Sequence, residues 1–144
     1  MKNKNIPDQS ELPDCLVLNT VAASRALLRH YDSEIKEYGV TVQQFALLSA
    51  ISLNPESNIA TLAERVYLDR TSLTRNLDLL EKKALIKRTN HKKSNAKISE
   101  LTKEGVILLE KLVPIWKDAQ KELRSKISAD EAATFLKVLK TFSK

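Results

Sequence analysis

Glycine is nearly missing: Gly39 and Gly105 are the two in 144 residues. A loop that cradles phosphate needs several glycines close together, so Gly-rich nucleotide sites are excluded. Cys15 is the single cysteine, which rules out an internal disulfide and makes a reducing compartment the expectation. The two histidines, His30 and His91, have no acidic or cysteine neighbours at a zinc-ligand spacing. No nucleophile–base pattern occurs either. Neither metal, cofactor nor enzymatic activity is therefore expected. No apolar run approaches the roughly 20 residues of a membrane span, and the N-terminal MKNKNIPDQS carries no apolar secretion segment. A cytoplasmic protein without a membrane partner is the expectation.

What the chain has is positive charge, unevenly placed. Its formal net charge is +6 and its pI near 9.4, values that suit an acidic partner such as nucleic acid. Residues 61–100 hold ten lysines and arginines against five acids, so nearly all the surplus lies in one short region. The abundance of Leu, Ala, Lys and Glu favours helix, and the length suits one domain.

Residues 1–12, polar and carrying Pro7, read as a flexible tail, with residues 13–144 as a single domain. Asp14 is the expected N-cap of a long helix to about Tyr38, with Leu18, Val21, Ala22, Leu28 and Ile35 on its apolar side and Gly39 as its stop. Thr41 caps a second helix that ends before Asn54-Pro55. A short helix is expected over 59–66. Asp69 then caps another, running to about Lys83, in which Leu73, Leu77 and Leu80 form one stripe at i, i+4 and i+7. At about 100° per residue, Thr71, Arg75, Asp78 and Lys82 fall on the opposite side. Residues 85–88 and 96–101 read as a two-stranded hairpin with a basic tip, TNHKKSN at 89–95. Thr102 opens a long helix with a seam of Val106, Leu109, Val113, Trp116, Leu123 and Ile127, which Pro114 is expected to kink or interrupt. Ser128 to Glu131 is a capping box for a last helix with Phe135, Leu136, Leu139 and Phe142 on its apolar face.

Helix, turn, helix and basic hairpin is the order of a winged helix-turn-helix, here over residues 41–101. In that arrangement the N-terminal end of the second helix reaches base edges in the major groove. Arg70, Thr71, Ser72, Thr74 and Arg75 occupy that end. Arginine can bridge guanine O6 and N7, while Thr and Ser can reach bases or phosphates. Arg88, His91, Lys92, Lys93 and Lys97 on the hairpin would meet backbone or minor groove, positioning the protein rather than reading sequence. An isolated amphipathic helix usually turns such a face to solvent. The hairpin that follows, the local charge surplus and the compact Thr–Arg cluster favour DNA instead.

The stretches ALLSAI at 46–51, TLAERVYLDRTSLTRNLDLLEKKALIKR at 61–88 and LTKEG at 101–105 carry a resemblance. Over residues 14–143 the chain resembles the MarR family of multiple antibiotic resistance regulators. The resemblance implies a mainly α fold with a small two- to three-stranded β wing, and a winged helix-turn-helix flanked by dimerisation helices at 14–38 and 102–144. It implies a homodimeric regulator of a palindromic operator in double-stranded DNA, a repressor released by a small aromatic effector or an oxidant. Two departures stand out. Where the family's wing carries an Asp-x-Arg pattern, this chain has Lys93-Ser94-Asn95, so no minor-groove arginine carries over; Ala84 replaces the usual glycine before the first wing strand. Cys15 lies about two residues upstream of the position at which some members sense peroxides. Either a redox role or ordinary apolar packing suits it, as Trp116 suits either a ligand pocket or the core. A redox switch acting through Cys15, and a winged-helix interaction module without base readout, are the alternatives.

Overall fold

A computed structural model of the chain describes residues 6–143, so residues 1–5 of the expected tail, and Lys144, lie outside the described residues. Six helices and one hairpin follow in order: α1 Leu16–Ile35, α2 Val42–Leu53, α3 Ile59–Val66, α4 Arg70–Lys82, β1 Ile86–Asn90, β2 Lys97–Leu101, α5 Lys103–Arg124 and α6 Ala129–Phe142. Local chemistry sets most boundaries. Thr41 Oγ1 accepts from the Gln44 amide while the Gln44 side chain accepts from the Thr41 amide, a full capping box at α2. Asn58, Asp69 and Thr102 cap α3, α4 and α5, and Ser128 with Glu131 closes the box at α6. Gly39, at φ 72°, ends the short 3-10 turn Lys36–Tyr38 that follows α1.

Three expectations need correction. Asp14 does not cap α1: it closes a 3-10 turn, Leu12–Asp14, and Cys15 takes the N-cap position in extended conformation. The α-helix stops at Ile35 rather than Tyr38, because the chain tightens to 3-10 before Gly39. Pro114 does not interrupt α5. It sits on the exposed side, and so does Glu110, whose carbonyl loses its amide partner to the proline; water can satisfy that carbonyl.

The core lies under the middle of the chain. Ile35, Phe45, Leu47, Leu48 and Ile51 meet Leu62, Leu73, Leu77 and Leu80 of α4, Ile86 and Leu112 in one cluster. On α5 the buried line is Gly105, Leu112 and Ala119, spaced by seven, while Val106, Trp116 and the following Ile127 stay exposed. The wing is a two-stranded antiparallel sheet with Ile86 opposite Leu101 and Asn90 opposite Lys97; among the described residues, a single bridge from Asn58 to Ile98 is all there is of a third strand. The termini contrast with this core. Leu16, Val17, Leu18 and Val21 on α1, and Phe135, Leu136, Val138 and Phe142 on α6, are exposed, Leu16 at 71 % and Phe142 at 70 %. An apolar expanse of this extent is what a soluble chain covers with a partner.

Candidate nucleic-acid interface

The surface is organised by α4. Leu73, Leu77 and Leu80 are each 0 % exposed, and full burial of a leucine is worth about 1.5–3 kcal/mol. That anchoring leaves the helix no freedom to roll, so its other side is fixed outward. Arg70, Thr71 and Arg75 are exposed, and Thr74 is half-buried beside them. Together with Asp78 and Leu79 they line a shallow depression on the outer face of the helix.

The N-terminal turn of α4 is locked by its own side chains. Asp69 Oδ1 accepts from the Ser72 amide at 2.9 Å, and Ser72 Oγ donates to Asp69 Oδ2 at 2.6 Å. The two Ser72 hydrogen bonds hold the Asp69 carboxyl below its ordinary pKa. Ser72 is therefore engaged in capping, and Thr74 Oγ1 donates back to the Arg70 carbonyl at 2.9 Å. Among the described residues, the Thr71 hydroxyl and the Arg70 and Arg75 guanidiniums make no hydrogen bond or ion pair. The donors best placed to meet a ligand are these three.

The wing lysines and arginine behave differently from one another. Lys92, Lys93 and Lys97 are exposed and form no ion pair among the described residues. His91 is turned inward: its Nδ1 accepts from the Lys93 amide at 3.1 Å, and its Nε2 lies 4.0 Å from Glu56 on the α2–α3 loop. Arg88 also turns inward, onto Asp78 and Glu81 of α4. Residues 70–75 and 92–97 thus present an outward cationic surface, while Arg88 and His91 hold the wing against its neighbours. Cys15, the remaining candidate, is half-buried at the start of α1, remote in sequence from this surface.

Sequence reasoning missed the Arg88 pairing. The available signal was the spacing of Asp78 and Glu81, three residues apart and so on neighbouring positions of one helix side. Of the two places open to Trp116, pocket wall or core, the structure gives it the wall of a hollow of about 750 Å³ between α2, the end of α3 and α5, lined also by Phe45, Leu53, Arg65, Tyr67 and Leu109 among others. Phe45 and Trp116 are tilted ring neighbours there, with centroids 6.5 Å apart.

Comparison with known proteins agrees with this layout. The MarR family profile matches residues 38–94, which span α2 to the wing. The HTH-type transcriptional regulator SarZ of Staphylococcus aureus (strain USA300) is 34% identical over 122 residues, 83% of this chain and 80% of that one. The M. tuberculosis transcriptional regulator MosR superposes with a TM-score of 0.77 at 30% identity, covering 90% of this chain and 95% of its own. The structure of the same regulator in complex with DNA gives a TM-score of 0.76 at 32% identity, over 87% of this chain and 92% of the other.

Proposed function

The chain belongs to the MarR family and is a DNA-binding transcriptional regulator, and we propose that it works as a homodimeric repressor of a palindromic operator. The single observation that carries the reading is the outward N-terminal end of α4, held there by three fully buried leucines and flanked by a cationic wing. In this reading Arg70, Thr71 and Arg75 meet base edges, while Ser72 and Thr74, engaged with Asp69 and the Arg70 carbonyl, shape the helix end. Lys92, Lys93 and Lys97 contact phosphates, and His91 supports the wing from behind. The protein is not an enzyme in this reading, and it acts where the cell's DNA is, in the cytoplasm.

Dimerisation is supported by the exposed apolar faces of α1 and α6, in the segments 14–38 and 102–144. Two copies joined there would present two recognition helices about 34 Å apart, one per major groove. The hollow beside Trp116 is of a size that binds small molecules, and its aromatic walls with Arg65 at hand suit a small aromatic effector. Release by such an effector would follow if it favoured a spacing of the two α4 helices that no longer fits successive grooves.

Selection of duplexes from a random-sequence pool tests the proposal directly. The expected product is an inverted repeat whose half-sites lie about 10 bp apart, one helical turn. Failure to enrich any duplex at low salt would leave a protein-interaction module as the surviving reading.

A further inference from the structure

Arg88 stands two residues into β1, yet its side chain lies over the C-terminal half of α4. Its Nε donates to Glu81 Oε2 at 2.9 Å, and one terminal nitrogen donates both to Asp78 Oδ1, at 2.6 Å, and to Glu81 Oε2. The Arg88 side chain is 23 % exposed, against 57 % for that of Asp78 and 40 % for that of Glu81. A planar guanidinium can serve two carboxylates at once because its donors diverge in a fixed fork; a lysine ammonium cannot hold the same geometry.

Asp78 lines the same depression as Arg70, Thr71, Thr74 and Arg75. A bare carboxylate there would face the polyanionic duplex whose bases those residues approach, and like-charge juxtaposition across an interface is costly. Glu81 stands one turn further along. The wing touches the α2–α3 loop through His91 and Asn58 through Ile98, but its angle to α4 itself depends on contacts near β1. Arg88 supplies one such contact, Ala84 to Leu85 being the only residues between α4 and β1 beyond the Lys83 cap.

From this we infer that Arg88 is a positioning residue for DNA recognition: it ties the wing to α4 and screens Asp78 and Glu81, without itself touching phosphate. The inference rests on the DNA-binding reading above and deepens it, because it removes one cation from the contact surface and assigns it to the shape of that surface.

A double-mutant cycle tests it. The probe is one duplex recovered by the wild-type protein from the random pool, and the proteins are wild type, Arg88→Ala, Asp78→Asn/Glu81→Gln, and the three changes together. The expected loss is about tenfold for Arg88→Ala in the wild-type background and less than about twofold where both acids are already amides, since coupling within one ion-pair network falls in that range. The slope of log affinity against log salt should be the same for the double and triple variants. A direct phosphate contact would instead cost the same in both backgrounds and lower the slope by about 0.9. Either that result, or no loss in the wild-type background, overturns the inference. Thermal unfolding should show all four proteins folded, because ion pairs whose carboxylates stand open to solvent add little to stability. If the wild-type protein recovers no duplex at all, the DNA-binding reading fails and takes the inference with it; additive losses on a bound duplex sink the inference alone.

Discussion

A Cβ placed on Gly105 would lie 2.1 Å from the carbonyl oxygen of Leu85. The same carbonyl accepts from the Thr102 amide at 3.0 Å, so it has no room to retreat. Here the root of the wing and the first turn of α5 touch backbone to backbone. Gly105→Ala should therefore destabilise the protein by about 1–3 kcal/mol, the usual cost of overpacking. Denaturant unfolding would measure it. An unchanged midpoint would mean that the two segments can part without loss.

Ala84 precedes the wing with φ at 57°, a left-handed conformation in which a Cβ crowds the following carbonyl. Its own carbonyl accepts from Thr102 Oγ1 at 2.7 Å, which helps hold the strained turn. Ala84→Gly should raise stability by about 0.5–1 kcal/mol, since glycine adopts this conformation without that clash. The same unfolding measurement applies, with the opposite sign.

Leu77 and Arg75 lie two residues apart on opposite sides of α4, and their substitutions should separate stability from recognition. Leu77→Ala removes a fully buried side chain and should cost about 2–5 kcal/mol of folding free energy. Arg75→Ala should leave the unfolding midpoint nearly unchanged. It should weaken binding to the selected duplex by about 1–3 kcal/mol and relax the preferred base at one position in each half-site. An equal loss on random DNA would make Arg75 a phosphate contact.

Lys92 is exposed on the wing without an acidic partner among the described residues. Lys92→Ala should lower the salt slope of binding by about 0.9 for each wing that reaches the backbone. Binding should weaken alike on selected and random duplexes. A slope that does not change would remove Lys92 from the surface that meets DNA.

Val17 projects from the open face of α1 beside Leu16 and Leu18. Val17→Glu places a charge in the proposed seam between copies, where burial without a partner is costly. Sedimentation equilibrium should then report a monomer where the wild-type chain gives a dimer, and binding to the selected duplex should be lost with it. A dimer that persists would put the seam elsewhere.

Much of this was readable from residue order alone, for local reasons. The stripe of Leu73, Leu77 and Leu80 fixed both the existence of α4 and the side it would bury, and Thr71 and Arg75 followed by helical rotation. The caps Thr41, Asp69, Thr102 and Ser128 act within three residues, so their effect does not depend on the rest of the fold. What failed was of two kinds. Pro114 was expected to kink or interrupt α5, and it does not interrupt it: the cost of a proline depends on whether the orphaned carbonyl meets water, and that is a question of which side faces out. Asp14 was expected to cap α1, but a 3-10 turn one residue ahead moved the boundary.

Residue order, then, determined where helices begin, which way α4 faces and where positive charge gathers, because propensity, capping and periodicity act over a few residues. Only the tertiary structure decided that Arg88 turns onto Asp78 and Glu81 rather than outward, that Ala84 takes a left-handed turn, and that a hollow opens beside Trp116. Each of these depends on how the hairpin and α5 fold back on α4 and α2. Contacts of that kind join residues through space; the spacing of Asp78 and Glu81 offered two acids on one helix side, but not the partner that would fold onto them.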